Sequence, residues 1–442
     1  MCGIAGAFDV EKAFFVIHDL LHHLQHRGQE AAGIVSRSFR SVKGYGLIGD
    51  VLSEKNFIDG KTAIGHVRYS TVGGPEGIQP LISYTAKGKV AVAHNGTIPD
   101  ADHRRNILLE RGAVFASNID SELFAHYISL APFDDAMSSV LWTLETIEAA
   151  YSLLVLHKDF LVAVRDPFGY RPLFWAEYDG GYVVASEDAA LRAIGAQNIV
   201  EMERGQVIVF RHGETPQIRK LNTGRPGRLC AFEYIYFARP DSTLGGFGVH
   251  RARFRMGQML YEEHPVSADI VVPVLDSGLS GALGFSAASG IPLDIGLMRN
   301  RYVGRTFIMP SQRESSVRKK IIPIKDVVKG KDVVIVDDSL IRGNTMKVLV
   351  SLVKEAGARM VVVAIHSPPV RFPCFYGIDI DDRKELIAAN FSVAEVRDYI
   401  GADELIYLST DGLLRAIGSD DICLSCFTGK YDTPVPVVMD NA

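Results

Sequence analysis

The chain begins MCGIAGAF, which places a cysteine at position 2. We expect Met1 to be removed, because aminopeptidases trim a methionine that precedes a small residue, and Cys2 would then come first. Its thiol would lie beside a free α-amino group with an ordinary pKa of about 8, so part of that amine is neutral at pH 7 and can accept the thiol proton. A small buried residue in a first strand is the alternative. Cys2 is therefore a candidate nucleophile whose substrate must be inferred from other stretches.

Three further stretches of the first half carry groups that suit an amino-acid substrate. In GHVRYSTVGG, Arg68 stands among small residues, and a buried arginine can hold a carboxylate through two parallel hydrogen bonds. In AHNGTI, the Asn95 side-chain amide and the Gly96 backbone N–H could both point at a developing oxyanion, although HNG could also be a type I′ turn. Asp120, in SNIDSE, could pair with an α-amino group. With a thiol, these groups describe amide hydrolysis on glutamine.

The second half contains VVIVDDSLIRGNT, an apolar strand that ends in Asp337 and Asp338. Backbone N–H groups at the start of the following helix, with hydroxyl side chains, would form a cradle for a phosphate. The two acids would face vicinal ribose hydroxyls or a Mg2+ ion. A strand that merely ends in a polar turn is the alternative. The residues that follow the acids and could hold the phosphate are Ser339, Arg342, Gly343, Asn344 and Thr345.

Two more stretches fit a substrate that carries pyrophosphate. In VLDSGLSGALG a strand ends at Asp276, and the turn at Ser277 exposes N–H groups. A dense run of cations lies further along, and it suits a lid that closes over pyrophosphate and excludes water, or else a solvated surface. Its members are Arg299, Arg301, Arg305, Arg313, Arg318, Lys319 and Lys320.

The composition excludes several classes of function. A chain of 442 residues is long enough for two domains. Its net charge of −5 shows no basic excess, so we expect no nucleic-acid partner. We see no apolar run long enough to cross a bilayer and no secretory signal at the start, so we expect no membrane partner and a cytoplasmic location.

The two halves differ in the elements they predict. Residues 1 to about 220 predict short strands and glycine-rich turns with a few helices, which indicates an α+β or layered domain. EKAFFVIHDLLHHLQHRG predicts a helix that ends at Gly28. After a Gly/Pro/Arg-rich joint at 222–228, apolar strands alternate with helices, which predicts a doubly wound parallel sheet with ligands beyond its carboxyl ends.

Taken together, these stretches resemble known families. CGI at the start, QHRGQEAAGI, GHVRYST, HNG, DSE and RDPFGYRPL resemble the N-terminal-nucleophile glutamine amidotransferases. VVIVDDSLIRGNT resembles the phosphoribosylpyrophosphate (PRPP) motif of type I phosphoribosyltransferases. With FEYIYFARPDS, RYVGRTFI and SPP, the whole chain from Cys2 onward resembles the glutamine PRPP amidotransferases, or amidophosphoribosyltransferases. The resemblance implies a four-layer αββα glutaminase domain at 2–222 and a doubly wound phosphoribosyltransferase domain at 229–442.

The resemblance also implies the reaction and its residues. Cys2 would hydrolyse glutamine, with Asn95 and Gly96 as the oxyanion hole. Ammonia would pass internally to C1 of PRPP and displace pyrophosphate with Mg2+ assistance, giving 5-phosphoribosylamine and glutamate as the first step of de novo purine synthesis. Inhibitory purine nucleotides and a homo-oligomer are expected. The implied binding residues are Arg68, Thr71 and Asp120 for glutamine; Asp337, Asp338, Ser339, Arg342, Gly343, Asn344 and Thr345 for PRPP; and Asp276, Ser277, Asp337 and Asp338 for pyrophosphate and Mg2+.

Four cysteines remain in the second half, and the last two form a C-x-x-C. Four thiolates suit a zinc site or a [4Fe–4S] cluster, and their spacing does not choose between them. Unrelated buried cysteines are the third interpretation. The surrounding residues resemble the cluster-bearing branch of the family, which implies a [4Fe–4S] cluster and a C-terminal segment tied to the second domain. Its ligands would be Cys230, Cys374, Cys423 and Cys426.

A few positions depart from the family pattern. Leu275 stands where a proline is usual, and Asn344 stands where a threonine is usual. They leave two alternatives: a glutamine-dependent transferase for another phosphosugar, and a regulator that binds PRPP or purines without catalysis.

Overall fold

The computed structural model describes residues 1–69, 77–222, 224–300, 318, 320–380 and 382–436. Strands predominate in the first half of these ranges. They are β1 (Gly3–Phe8), β2 (Ala31–Ser36), β3 (Ser41–Tyr45), β4 (Ala63–Arg68), β5 (Leu81–Thr85), β6 (Gly88–Thr97), β7 (Ala150–His157), β8 (Leu161–Arg165), β9 (Phe174–Tyr178), β10 (Gly181–Ala185), β11 (Gln197–Glu201), β12 (Gln206–Phe210) and β13 (Gln217–Lys220). The helices are α1 (Ala13–His23), α2 (Ile48–Val51), α3 (Ala101–Glu110), α4 (Glu122–Leu130), α5 (Ala136–Thr146) and α6 (Asp188–Ala193), with 3₁₀ turns at Gln25–Arg27 and Glu54–Asn56.

These strands form two antiparallel sheets that pack face to face. One sheet has the order β11-β9-β10-β1-β4-β2-β3 and the other the order β13-β12-β8-β7-β6-β5. Ile4 and Ile64 of the first sheet share a buried cluster with Leu154 and Leu161 of the second. Helix α1 covers β1 and β4 on one outer side, and α4 and α5 pack on the other. The predicted αββα layering is confirmed.

Helix α1 forms because Phe14, Ile17 and Leu21 recur on one face and are buried. It ends at His23, and a 3₁₀ turn follows, so the prediction that the helix runs to Gly28 is wrong. Gly28 is required for another reason. A Cβ at that position would lie 2.6 Å from the carbonyl carbons of Val67 and Arg68, so only glycine lets this turn lie against β4.

The second half contains β14 (Leu229–Cys230), β15 (Thr243–Leu244), β16 (Phe247–Gly248), β17 (Ile270–Pro273), β18 (Leu297–Arg299), β19 (Ile321–Pro323), β20 (Asp332–Asp337), β21 (Met360–Ile365), β22 (Glu404–Tyr407) and β23 (Ile422–Cys423). Its α-helices are α7 (Val249–Glu263), α8 (Leu279–Ser289), α9 (Lys325–Val328), α10 (Asn344–Glu355), α11 (Ile387–Asn390), α12 (Val393–Ile400), α13 (Thr410–Ile417) and α14 (Ser425–Thr428). A π-helix spans Glu233–Phe237 and a 3₁₀ turn spans Arg383–Glu385.

A parallel sheet with the order β17-β20-β21-β22 organises this half. Its apolar strands are buried on both faces, with α7, α8 and α13 on one side and α10 and α12 on the other. The predicted doubly wound arrangement is confirmed. Because β17 and β20 are neighbours, with Pro273 beside Val336, the turns after them meet at one edge.

Two short sheets join segments that are separated in sequence. Strands β14 and β23 pair in parallel and set Cys230 beside Cys423. This pairing connects the start of the second half to the C-terminal part of the described chain. Strands β18 and β19 pair on either side of the 301–317 segment. No helix within the described ranges combines the length and apolar character that a membrane crossing needs.

Candidate active sites

Cys2 lies immediately before β1 and is held from two sides. Its backbone N–H donates to Asn95 Oδ1 at 3.2 Å, and its carbonyl accepts from Arg27 Nε at 3.1 Å. Met1 is buried beside it, and burial lowers the pKa of the Met1 amino group to about 6. This end of the chain is therefore an environment that favours a neutral amine.

Asn95 and Gly96 lie inside strand β6, opposite Ser152 and Tyr151 of β7. The interpretation of HNG as a turn is therefore wrong. Asn95 is 1% exposed and accepts from Cys2 through Oδ1, while its Nδ2 has no hydrogen-bond partner among the described residues. A buried amide donor next to the thiol is thus left over for a ligand.

Arg68 ends strand β4, and its side chain is 4% exposed. Its Nε lies 3.5 Å from a carboxylate oxygen of Glu30. Asp120 accepts from the backbone N–H of Ile98 at 2.8 Å and from the Ser121 hydroxyl at 3.3 Å. Arg68 and Asp120 therefore offer a fixed cation and a fixed anion. Thr71 lies outside the described residues.

One cavity gathers these groups. It measures about 260 Å³, and its walls include Cys2, Arg68, Gly96 and Asp120, with Asn95 hydrogen bonded directly behind Cys2. Cys374, Phe375, Ile378 and Asp379 of the second half form part of the same wall. The cavity thus combines a thiol, a backbone amide, a guanidinium and a carboxylate.

A second candidate site lies at the edge where β17 and β20 end. Asp337 is the last residue of β20, and Asp338 is 6% exposed. The Ser277 side chain, from the turn after β17, interacts with both carboxylates, and the Ser339 hydroxyl donates to Asp338. Burial and the neighbouring Asp338 carboxylate raise the pKa of Asp337. Two turns that are far apart in sequence therefore meet here.

The other residues of this candidate site surround the start of α10. Gly343 is its N-cap, Asn344 Oδ1 accepts from the Tyr399 hydroxyl at 2.7 Å, and Thr345 is exposed in the first turn. Arg342 pairs with the Glu385 carboxylate, with 2.8 Å between Nε and Oε2. Asp276 is exposed and lies 3.4 Å from Arg299.

The cation run predicted as a lid falls mostly outside the described residues, namely Arg301, Arg305, Arg313 and Lys319. Arg318 is described, and it forms an exposed ion pair with Glu355 of α10, with 2.8 Å between Nη2 and Oε1.

The four remaining cysteines converge where β14, β23 and the 374–379 segment meet. Cys230 and Cys423 are direct partners in the short parallel sheet, and the backbone N–H groups of Arg371 and Phe372 donate to the Cys426 carbonyl. Burial, together with the neighbouring thiols, raises the pKa of Cys423 to about 12. Within the described ranges, no group of three or more His, Cys, Asp or Glu side chains is arranged to hold a metal ion.

A buried charge network joins the two halves, and sequence reasoning misses it. Arg27 donates to Glu187 at 2.6 Å and to both oxygens of Glu233 at 2.7 and 3.0 Å, and all three side chains are fully buried. Burial opposes ionisation of Glu187, but His26 and Arg27 outweigh it and hold the pKa of Glu187 well below its usual range. The partners are 160 and 206 positions apart, so no local pattern signals them.

The comparisons with known proteins agree with this geometry. A family model described as a glutamine amidotransferase domain matches residues 66–193, and one described as a phosphoribosyl transferase domain matches 255–369. Amidophosphoribosyltransferases of Methanocaldococcus jannaschii and Pyrococcus horikoshii are 43% and 47% identical, with at least 96% of each chain covered. A solved structure of the Bacillus subtilis glutamine PRPP amidotransferase, complexed with ADP and GMP, has a TM-score of 0.92 at 42% identity, covering 98% of both chains.

Proposed function

This chain belongs to the amidophosphoribosyltransferase family, and from that premise we propose how its residues divide the reaction. The chain is a glutamine-dependent phosphoribosyltransferase that aminates PRPP in purine biosynthesis. The observation that carries the assignment of residues is the cavity in which Cys2, Arg68, Gly96 and Asp120 face one another.

In the first half, Cys2 attacks the side-chain amide of glutamine after Met1 has been removed. The α-amine of Cys2 takes the thiol proton and later delivers a proton to the leaving ammonia. Asn95 Oδ1 already accepts from the Cys2 nitrogen, so its unpartnered Nδ2 is the donor aimed at the oxyanion, and the Gly96 N–H is the second. Water then releases glutamate from the thioester.

The same cavity fixes the amino-acid end of glutamine. Arg68 binds the α-carboxylate of glutamine, and Asp120 binds its α-ammonium group. The backbone N–H of Ile98 and the hydroxyl of Ser121 donate to the Asp120 carboxylate and so fix its orientation. Thr71 is proposed as a further carboxylate ligand on the resemblance alone.

In the second half, the ammonia displaces pyrophosphate from C1 of PRPP. We assign the ribose hydroxyls to Asp337 and Asp338, and the pyrophosphate to Asp276 and the turn at Ser277. The 5′-phosphate is assigned to the start of α10, whose free N–H groups favour an anion. The residues given to that phosphate are Ser339, Arg342, Gly343, Asn344 and Thr345.

Mg2+ is proposed as the metal of this half. Asp276, Asp337 and Asp338 with Ser277 supply only oxygen donors, which is the set that Mg2+ prefers. Bound Mg2+ would neutralise charge on the departing pyrophosphate.

A [4Fe–4S] cluster is proposed for Cys230, Cys374, Cys423 and Cys426. Four thiols are the donor set that such a cluster takes, and the β14–β23 pair and the 371–374 segment bring the cysteine-bearing segments together, although within the described ranges the thiols are not arranged around a single ion. The cluster would hold the C-terminal segment against the second domain.

Four wider assignments complete the proposal. The glutaminase domain spans 2–222 and the phosphoribosyltransferase domain 229–442, because β13 ends at Lys220 and β14 begins at Leu229. Purine nucleotides are proposed inhibitors, since the Bacillus subtilis relative was solved with ADP and GMP. A homo-oligomer is proposed on the family resemblance. A cytoplasmic location suits a chain whose five cysteines form no disulfide bond.

The division of labour can be tested with paired variants. Cys2→Ala should abolish glutamine-dependent release of pyrophosphate and keep the ammonia-dependent reaction. Asp337→Asn with Asp338→Asn should abolish both syntheses and keep hydrolysis of glutamine, whereas Asp420→Asn, an exposed control, should change neither. Glutamine-dependent turnover by Cys2→Ala would contradict the proposed nucleophile, and PRPP turnover by the double variant would remove the acids from the site.

A further inference from the structure

One wall of the cavity that holds Cys2 comes from the other half of the chain. Cys374, Phe375, Ile378 and Asp379 line it together with residues of the glutaminase half. The segment is a compact loop, in which the Cys374 N–H donates to the Ile380 carbonyl at 3.0 Å and the Ile380 N–H donates to Ile378 at 2.9 Å. We name residues 374–379 the crossing loop.

The crossing loop is anchored by a buried arginine of the glutaminase half. Arg171 is 0% exposed, and its Nε donates to the Tyr376 carbonyl at 3.0 Å, with Nη2 bonded to the same oxygen. The Tyr376 ring stacks on Tyr170 with 4.2 Å between centroids. The loop therefore cannot move without breaking a charge-assisted bond and an aromatic contact.

Within the loop, Gly377 touches the backbone of Gly96. Gly377 has a φ of +107°, and a Cβ built on it would lie 3.1 Å from both Cα and the carbonyl carbon of Gly96. On its other side, Gly96 lies so close to β7 that a Cβ there would be 1.9 Å from the Ala150 carbonyl oxygen. Gly96 is thus confined between β7 and the crossing loop.

We infer that Gly377 is a positioning residue for glutamine hydrolysis: the crossing loop completes the glutamine pocket and sets the place of the Gly96 N–H in the oxyanion hole. This inference rests on the proposed function, which gives Gly96 that role. It follows that the glutaminase half alone has an incomplete pocket, and that the same loop presents Cys374 to the other cysteines. The shape of the loop controls how well the thiol uses glutamine.

The test compares two glycine substitutions that both place alanine at a positive φ. Gly377→Ala adds a methyl group against Gly96, while Gly112→Ala, at φ +87° with nothing within 4 Å, adds only backbone strain. We expect Gly377→Ala to lower kcat for glutamine hydrolysis about 10- to 100-fold, less than the roughly 10² to 10³-fold of deleting an oxyanion donor. The KM for glutamine and the ammonia-dependent reaction should stay near wild type, and Gly112→Ala should match wild type throughout.

A second readout separates positioning from a general structural role. Alkylation of Cys2 by iodoacetamide forms no oxyanion on a carbonyl, so its rate in Gly377→Ala should stay near that of wild type. If Gly377→Ala does not fold, Ile378→Ala tests the same wall, and we expect a higher KM for glutamine with the ammonia-dependent reaction retained.

Several outcomes would overturn the inference. One is an active Gly377→Ala enzyme with the kinetics of Gly112→Ala. Another is a parallel loss of glutamine-dependent and ammonia-dependent turnover, and a third is an unchanged KM for glutamine in Ile378→Ala. A wild-type protein that releases no glutamate from glutamine would instead overturn the proposed function, so the two failures are distinguishable.

Discussion

Glu233→Gln removes one charge from the buried network that joins the two halves. The Glu233 carboxylate accepts hydrogen bonds from both terminal nitrogens of Arg27, and it lies 3.6 Å from Nη1 of Arg171. The amide keeps the shape of the side chain but removes the carboxylate near both Arg27 and Arg171, and Glu187 is then the carboxylate that pairs with Arg27 among the described residues. Loss of one partner from a buried ion pair costs roughly 3–5 kcal/mol, because the remaining charge has no water to stabilise it.

That loss should be visible in thermal unfolding. For a unit of about 150–250 residues, 1 kcal/mol lowers Tm by roughly 2–4 °C, so we expect a decrease on the order of 6–20 °C. Tryptophan fluorescence is a suitable probe, because the chain has 2 tryptophans, Trp142 and Trp175, and both lie in the glutaminase half. A change at Glu233 in the other half would then report on the interface between them.

The matched control is Glu203→Gln. Glu203 pairs with Lys220, but both side chains are more than half exposed, so water and salt screen the pair and we expect no measurable change. Equal melting temperatures for Glu233→Gln and Glu203→Gln would refute the view that the buried network stabilises the joined halves.

Three further predictions concern the site, the pH dependence and the cysteines. Asn95→Ala should lower kcat for glutamine hydrolysis by about 10² to 10³, and an effect on KM alone would contradict its role as an oxyanion donor. Burial lowers the pKa of His66 to about 3, while the unfolded chain binds that proton near pH 6.5. The free energy of unfolding should therefore fall by about 1.4 kcal/mol per pH unit as the pH drops from 6.5 towards 3. In His66→Asn, the free energy of unfolding measured by urea titration should depend less steeply on pH. Protein purified without oxygen should be brown, and Cys423→Ser should lose iron; a colourless wild type that contains zinc would refute the cluster.

The features that the sequence predicts well follow from a local residue pattern or from the general geometry of a parallel sheet. Asp337 and Asp338 end an apolar strand, and the ends of parallel strands meet at one edge, so their approach to Ser277 follows from the pattern. Cys2 is likewise recognisable as a candidate nucleophile, because removal of Met1 would make it the first residue of the chain. Helix limits are predicted less well. Gly28 is needed because the chain passes close to β4 at that point, and a helical residue pattern carries no information about such a contact.

Contacts between the two halves of the chain are what the sequence does not predict. Arg27 and Glu233 are ordinary charged residues until the fold buries them together. The place of Cys374 in the wall of the cavity that holds Cys2 is also missed, because in the sequence Cys374 is already explained as a fourth cysteine ligand. Such contacts depend on how two domains are joined, and no periodicity reports that.

The position of the crossing loop has a consequence for a chain that is still being synthesised. Domains fold largely as they leave the ribosome, from the N-terminus onward, so the glutaminase half can form early. Tyr376, which Arg171 binds, and Cys423, which pairs with Cys230, emerge only near the end of translation. In a nascent polypeptide, the cavity that holds Cys2 therefore lacks the wall formed by Cys374, Phe375 and Ile378 until most of the second half has been made.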